Sequence, residues 1–497
     1  MRSAIWALWL AHAGAQRYNP STSNQQQQPF LPTPCQLLQA TFPDEVYGPG
    51  HANYTRSQAN YWAAQQYDMT PACRFFPTGS RHIQEALADI IIPNNVSIAV
   101  VSGGHASTTG ASNVEDGITI DLSRLTEVNF FLDAGKEVWL GPGNRWEDVY
   151  RILQPSNLTV AGSRSGHVGV GGHVLGGGLS WFANHRGWAC DDVTEMELVT
   201  PSAEIVRVKP HELDDLFWSL KGSLGALGIV TKIKMKTVRN VAVYGGAMSY
   251  EQRYIAKLCR ALERLASAAG KDPSTQGYLS FAWLEAKKSF TYSAYLMNTD
   301  NSSTSDALSA FETIPHSGNT LRSMTIGDSA KEIDQSNPLG KRRSKFTLTT
   351  LANAQVMMEL HEIVKAVATD TTFDKEGVLG VTFQPLTVPH LQAQSNIFNL
   401  SPAQGPLLLI SVEFWWSDRS RDPSIESAAQ KLLKSMKAKL QELGALHDFI
   451  YPNYAARDQN PLDSLTPLNR RMLQQTKRKF DPQNLWQQLV PGIWHID

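Results

Sequence analysis

The chain has 497 residues, 42% of them hydrophobic and 18% charged, which is too long for one ordinary core, so two domains are expected. Its 45 lysines and arginines meet 46 acids, a formal charge of -1, leaving no basic excess for nucleic acid or an anionic membrane. A small-molecule partner fits this balance better.

At the start, Arg2 precedes an apolar run, Ala4 to Ala11, and then Ala13-Gly14-Ala15. This pattern predicts a secretory signal peptide over residues 1–15 with Gln16 as the new N-terminus. The run is too short for a membrane span, and no later stretch is long and apolar enough for one. Asn-x-Ser/Thr triplets at Asn53, Asn95, Asn157, Asn301 and Asn399 fit a secretory route as N-glycan acceptors. Four cysteines allow three pairings, and an oxidising compartment favours Cys35 with Cys73. Cys190 and Cys259 sit in apolar surroundings and read as buried thiols.

Residues 16–65 form an N-terminal segment: a polar tract, "STSNQQQQPFLPTP", then one or two helices. From 66 to 240 short β-branched strands alternate with helices and glycine turns. "SRHIQEALADIII" predicts a helix, "SIAVV" and "GITIDLS" predict strands, and "EVWLGPGNRWEDVYRILQ" predicts strand, turn and helix. From 241 to 445 longer alternating runs such as "GYLSFAWLEAKKSFTYSAYLMN" and "PLLLISVEFWW" predict an antiparallel sheet with helices on one face. "SIESAAQKLLKSMKAKLQEL" is an amphipathic helix. In the last segment, 446–497, "YPNYAARD" reads as strand-like and is followed by a helix ending before Asp481-Pro482.

Three glycine-rich stretches stand out. In "IAVVSGGHASTTG" a strand breaks into Ser102-Gly103-Gly104 with His105 directly behind. In "AGSRSGHVGVGGHVLGGG" eight glycines fall between Gly162 and Gly178. "DLFWSLKGSLGALGIVTKIKMK" runs helix, glycine turn, strand. Ordering glycine costs entropy, so this density implies backbone amides brought close to a ligand, often a phosphate; the alternative is a glycine-rich surface loop. The G-x-G-x-x-G fingerprint fails because Val174 stands where the last glycine belongs, and no Walker-type loop is present. A metal site built from His105, His167, His173 and His185 lacks any carboxylate or cysteine at ligand spacing, so no metal is expected.

"VSGGHAS", "VGVGGHVLGGG" and "DLFWSLKGSLGALGIVT", with the endings "YPNY" and "KRKFDPQNLW", resemble the FAD-linked oxidase family that includes the berberine bridge enzyme. The resemblance implies an α+β fold: a two-part FAD-binding domain of the p-cresol-methylhydroxylase and vanillyl-alcohol-oxidase type, roofed by a substrate domain. It implies FAD bonded covalently through His105. Ser102, Gly103, Gly104, Gly162, Ser165, Gly166, Val168, Gly169, Gly172, His173, Gly177, Gly178, Ile229 and Asn453 would line the cofactor. Members with two flavin links carry a cysteine where this chain has Ser165, so a single link is expected. Val101 and Ala106 depart from the family's arginine and serine.

The family's reaction takes hydride from a small organic substrate and returns the electrons to dioxygen as hydrogen peroxide. Tyr451 and Tyr454, from the tyrosine–asparagine ending, and Glu413, in an apolar strand, are the candidate proton acceptors; Gln384 is a candidate pocket residue. An alcohol or ring system of secondary metabolism is the expected substrate. A carbohydrate oxidase is one alternative, and a flavin scaffold for non-redox cyclisation or ligand binding is another.

Overall fold

The computed structural model describes residues 32–130, 135–239 and 242–496. The expected signal peptide and most of the polar tract lie outside the described residues. From Pro34 onward the chain forms one body.

Among the described residues, three sheets carry the fold. The first orders β1 (Val46–Tyr47), β2 (Cys73–Phe75), β4 (Ile118–Asp121) and β3 (Ile98–Val101), with β2, β4 and β3 parallel. β-Branched residues make β3 and β4 buried strands, as their sequence predicts. Helices Pro34–Thr41 and Ser80–Glu85 pack here, the latter running on as a π turn over Ala86–Ile91. Cys35 and Cys73 are joined, while Cys190 and Cys259 are buried thiols.

The second sheet is antiparallel: β5 (Val128–Asn129), β6 (Glu137–Leu140), β10 (Ile229–Arg239), β8 (Val193–Val199) and β9 (Ile205–Val208), with β7 (Leu158–Val160) also on β10. Its core takes Val138, Trp146, Met196 and Ile233, and also Tyr295, Leu409 and Phe449 from further along. The tail returns to the first sheet, where Trp486 and Leu489 are buried beside Phe75 and Ile118.

The third sheet is also antiparallel, with nine strands among the described residues. Its order is β14 (His316–Asn319), β11 (Ala242–Tyr250), β13 (Ser289–Asn298), β12 (Thr275–Leu284), β17 (Val378–Leu386), β18 (Leu407–Trp416), β16 (Arg342–Leu351) and β19 (Leu446–His447), with β15 (Arg322–Thr325) on β11. Strand β12 shows how the sheet makes two surfaces. Leu279, Phe281 and Trp283 are buried on one face with helices Ile255–Ala268, Ala354–Asp370 and Asp422–Glu442. Tyr278, Ser280 and Ala282 point the other way, into a cavity. The last of these helices buries Ile425, Ala429, Leu432, Met436 and Leu440, a stripe at helical spacing.

One sequence expectation fails. "YPNYAARD" is not strand-like: the strand stops at His447, and Pro452–Tyr454 form a 3-10 turn. Pro452 fixes φ and has no N–H for a ladder, so pairing stops before it.

The Cys35–Cys73 link closes a 38-residue separation, worth about 4 kcal/mol in chain entropy on the loop-closure estimate. The double variant Cys35→Ser/Cys73→Ser is expected to unfold at clearly lower denaturant, measured by fluorescence-monitored unfolding with and without reductant. Equal midpoints for wild type and variant under oxidising conditions would refute that contribution.

Candidate active site

A cavity of about 950 Å³ lies between the glycine loops and the open face of the third sheet. On one wall, β3 ends and the chain turns through Ser102, Gly103 and Gly104. Gly104 has a φ of +65°, and a Cβ there would sit 2.9 Å from the Tyr61 ring, so only glycine fits without strain. Gly103 lies against the main chain of Gly169; a Cβ on it would meet the Gly169 nitrogen at 2.4 Å. Ser102 Oγ donates to the Pro142 carbonyl and accepts from the Gly171 amide. This turn is thereby fastened to the start of helix Val170–Leu175.

His105 emerges from this junction. Its ring stacks on Trp62, centroids 4.3 Å apart and planes 14° off parallel. Trp62 carries the Arg343 guanidinium on its ring at 3.7 Å, and Arg343 is paired with Glu413. Burial, then the cations of Lys345 and Arg343, hold the His105 imidazole well below its ordinary pKa, so it is neutral near pH 7. Its Nε2 is buried and bonds to nothing among the described residues. An uncharged ring held rigidly, with a polar atom unmatched, is an arrangement that calls for a partner.

His173 is the second such imidazole. Burial pushes its pKa down to about 3. Its Nε2–H donates to the Leu179 carbonyl at 3.3 Å, which leaves a buried Nδ1 lone pair without a donor.

The glycines divide into two sets. Ser102, Gly103, Gly104, His105, Ser165, Val168, Gly169, Gly172, His173, Ile229 and Asn453 line the cavity. Gly172 is the clearest opening, since a Cβ there would meet no atom within 4 Å. Gly162, Gly166, Gly177 and Gly178, also expected at the cofactor, stand behind the wall. Gly162 makes room for the Trp146 ring, and the Gly166 amide is bonded to Asp334. Gly177 and Gly178 have φ of +98° and +84° and pack on Phe398 and His173. Close packing and backbone shape account for these four.

Asp334, at the end of helix Ile326–Asp334, was not legible in the sequence. Its carboxylate is buried and accepts from Ser165 Oγ at 2.5 Å, Gly166 N at 2.9 Å and His167 N at 3.2 Å. The hydroxyl at 165 is therefore committed within the protein.

The opposite wall holds the candidate proton acceptors. Tyr454 lies between two cations: the Lys345 ammonium is 3.9 Å from its ring centroid, and Arg164 Nη2 donates to its oxygen at 3.4 Å. Burial raises the phenol, but Arg164 and Lys345 together outweigh it, and the net shift is below the ordinary value of 10. The carbonyl oxygen of Gln384 accepts from both Arg164 and Tyr454 Oη. Tyr451 differs. It is 1% exposed, stacks on Trp188, and its oxygen accepts from the Gly178 amide and Asn453 Nδ2. Burial holds its proton on strongly. Tyr451 and Asn453 meet through the 3-10 turn rather than by strand alternation.

Glu413 is not at a strand edge. It stands in β18 between Gly380 of β17 and Lys345 of β16, on the cavity face, with its carboxylate on Arg343. Trp415 shares that face, whereas Phe414 and Trp416 are buried on the other. No cluster of three or more His, Cys, Asp or Glu among the described residues is placed to hold a metal.

A large cavity, walled by bare backbone and two neutral orphaned imidazoles, suits a dinucleotide-sized redox cofactor. The family of FAD binding domains matches residues 71–209. The chain is 30% identical to the FAD-dependent monooxygenase tpcD of Cochliobolus heterostrophus, covering 92% of this chain and 93% of that one. It is 29% identical to the FAD-dependent monooxygenase sdcF of Emericella nidulans, over 93% and 98%. In fold it is similar to 6-hydroxy-D-nicotine oxidase from Arthrobacter nicotinovorans (TM-score 0.74, 16% identity, 91% of this chain and 97% of that). It is equally similar to the xylooligosaccharide oxidase of Myceliophthora thermophila (TM-score 0.74, 18% identity, 92% and 99%). The chain belongs to the family of FAD-dependent oxidoreductases that its relatives represent.

The two glycine sets are separable by experiment. Gly162→Ala drives a methyl into Trp146 and is expected to cost about 1–3 kcal/mol in chemical unfolding. Gly172→Ala is expected to leave stability within about 0.5 kcal/mol or improve it, since alanine favours helix, while lowering FAD content per chain. Equal losses of stability in both variants would erase the distinction.

Proposed function

We propose that the chain is an oxidase holding FAD through one covalent link, at His105, and passing electrons from a small organic substrate to dioxygen, with hydrogen peroxide as product. The observation that carries this reading is His105: neutral, clamped under Trp62, with a buried nitrogen that no group among the described residues satisfies. A neutral imidazole keeps the lone pair that a covalent link needs. Ser165 supports a single link, because it offers an oxygen, already bonded to Asp334, where a second link would require sulfur.

Ser102–Gly104, Val168–Gly172 and His173 would hold the cofactor, with Ile229 and Asn453 at its flanks. When bound, FAD supplies the two-electron acceptor and its reactivity with dioxygen. The chain supplies the base. Tyr454 Oη, its pKa lowered by Arg164 and Lys345, takes the proton from a substrate O–H or N–H, and the Arg164 N–H fixes the direction of that oxygen. Tyr451 keeps its proton and orients Asn453. Glu413 acts through its pair with Arg343, which presses Trp62 on His105.

Tyr278, Tyr295, Trp62 and Trp415 on the cavity wall favour a ring system over an oligosaccharide. The joined Cys35–Cys73 pair and the exposed positions of Asn95, Asn157, Asn301 and Asn399 are consistent with a secreted glycoprotein. The relatives' name supports a second reading, in which an oxygen atom enters the product. Lipophilic alcohols and oligosaccharides assayed for peroxide, with labelled dioxygen traced into product, separate these readings. A flavin that stays yellow under anaerobic conditions with every substrate would leave only a binding scaffold.

His105→Ala is expected to release all its flavin into the supernatant on acid precipitation, whereas the wild-type pellet stays yellow. A colourless wild-type pellet would sink the covalent link. Tyr454→Phe is expected to lower kcat by about 100-fold or more. Because the phenolate is the working form, wild-type activity falls as pH drops through the Tyr454 pKa. Lys345→Met removes a stabilising cation and moves that limb to higher pH, read from the pH–rate profile; an unmoved limb assigns the base elsewhere.

A further inference from the structure

The charges on the cavity wall do not balance. Glu413 is spent on Arg343, and Glu332 on Arg322 at 2.7 Å and Thr320. Arg164 and Lys345 have no carboxylate partner among the described residues. Lys345 stands in register opposite Glu413, yet that carboxylate turns to Arg343. Arg164 lies over the Tyr278 and Trp181 rings and bonds only to the oxygens of Gln384 and Tyr454. Two half-buried cations thus converge on a single phenol. Cations drawn from water are costly unless a counter-charge meets them. Tyr454 offers them only a phenol oxygen, so neither charge is met by a carboxylate among the described residues.

We infer that the substrate carries an acidic oxygen, a carboxylate or an ionised phenol on its ring system, which binds between Arg164 and Lys345. This rests on the oxidase reading above and narrows its substrate class. The arginine fork suits a carboxylate or phenolate, while the lysine supplies a point charge beside it. Tyr278 and Trp181 under the guanidinium give a ring surface at the same spot. The contacts of Arg164 are to the sheet side of the cavity and not to the Ser102–Gly104 turn. A neutral sugar would leave the two cations unanswered, so the wall selects against it.

The test is calorimetric titration of the flavin-loaded protein at pH 7 with benzoate and 2-naphthoate against benzamide and 2-naphthamide. Wild type is expected to bind the acids at least tenfold more tightly than the matched amides. Lys345→Met and Arg164→Met should each lose most of that preference, keep amide binding within about twofold, and keep their flavin. Equal affinity for acids and amides in wild type overturns the inference without any variant. So does a preference that survives both substitutions, or variants that shed FAD, which would assign the cations to the cofactor. If acids are preferred but no substrate yields peroxide or bleaches the flavin, the oxidase reading fails and the anion site stands. If neutral substrates turn over and acids bind no better than amides, the anion site fails and the oxidase reading stands.

Discussion

Everything in the cavity depends on one contact between two stretches of main chain. Gly103 and Gly169 touch so closely that a Cβ on either would lie 2.3–2.4 Å from the other's nitrogen. That approach joins the end of a buried parallel strand to the start of helix Val170–Leu175. It fixes His105 and His173 on one wall and turns Gly172 toward open space. A side chain at either glycine would push the loops apart by more than a hydrogen bond tolerates, and Ser102 could not bridge Pro142 and Gly171. The density of glycine is thus partly a matter of backbone meeting backbone, and only partly of backbone meeting ligand.

A second chain of contacts sets the chemistry. Glu413 anchors Arg343, Arg343 covers Trp62, and Trp62 lies flat on His105. Burial first, and then the nearby positive charge, keeps His105 neutral, while Arg164 and Lys345 lower the pKa of Tyr454. The same excess of positive charge lowers the pKa of an imidazole and of a phenol alike, because in both cases losing the proton removes positive charge from the site. One electrostatic environment therefore biases both groups toward their electron-rich forms.

Local pattern carried much of this to the reader of the sequence. β-Branched runs marked β3 and β4, strict alternation marked β12, and the amphipathic stripe marked Asp422–Glu442, because each element's burial repeats at its own period. The cavity wall was legible as far as its residues sat in the glycine motifs. The tail was misread since proline overrode the alternation of tyrosine and asparagine. Asp334, Trp62, Arg164 and Lys345 escaped notice for another reason: their roles arise from partners far away in the chain. Asp334 meets Ser165 across 169 residues, and no local spacing encodes that. Lys345 could have been suspected as the last charge of "RRSK" before the buried run Phe346 to Thr350.

The grip of Asp334 on the loop at 165–167 bears on how the molecule works through repeated cycles. Its three accepted bonds stitch a helix of the roofing half to the floor at the rim of the chamber, out of water's reach. Swinging the halves apart would strip a buried carboxylate of all its donors at once. Any parting of the two halves would therefore have to give up this contact first.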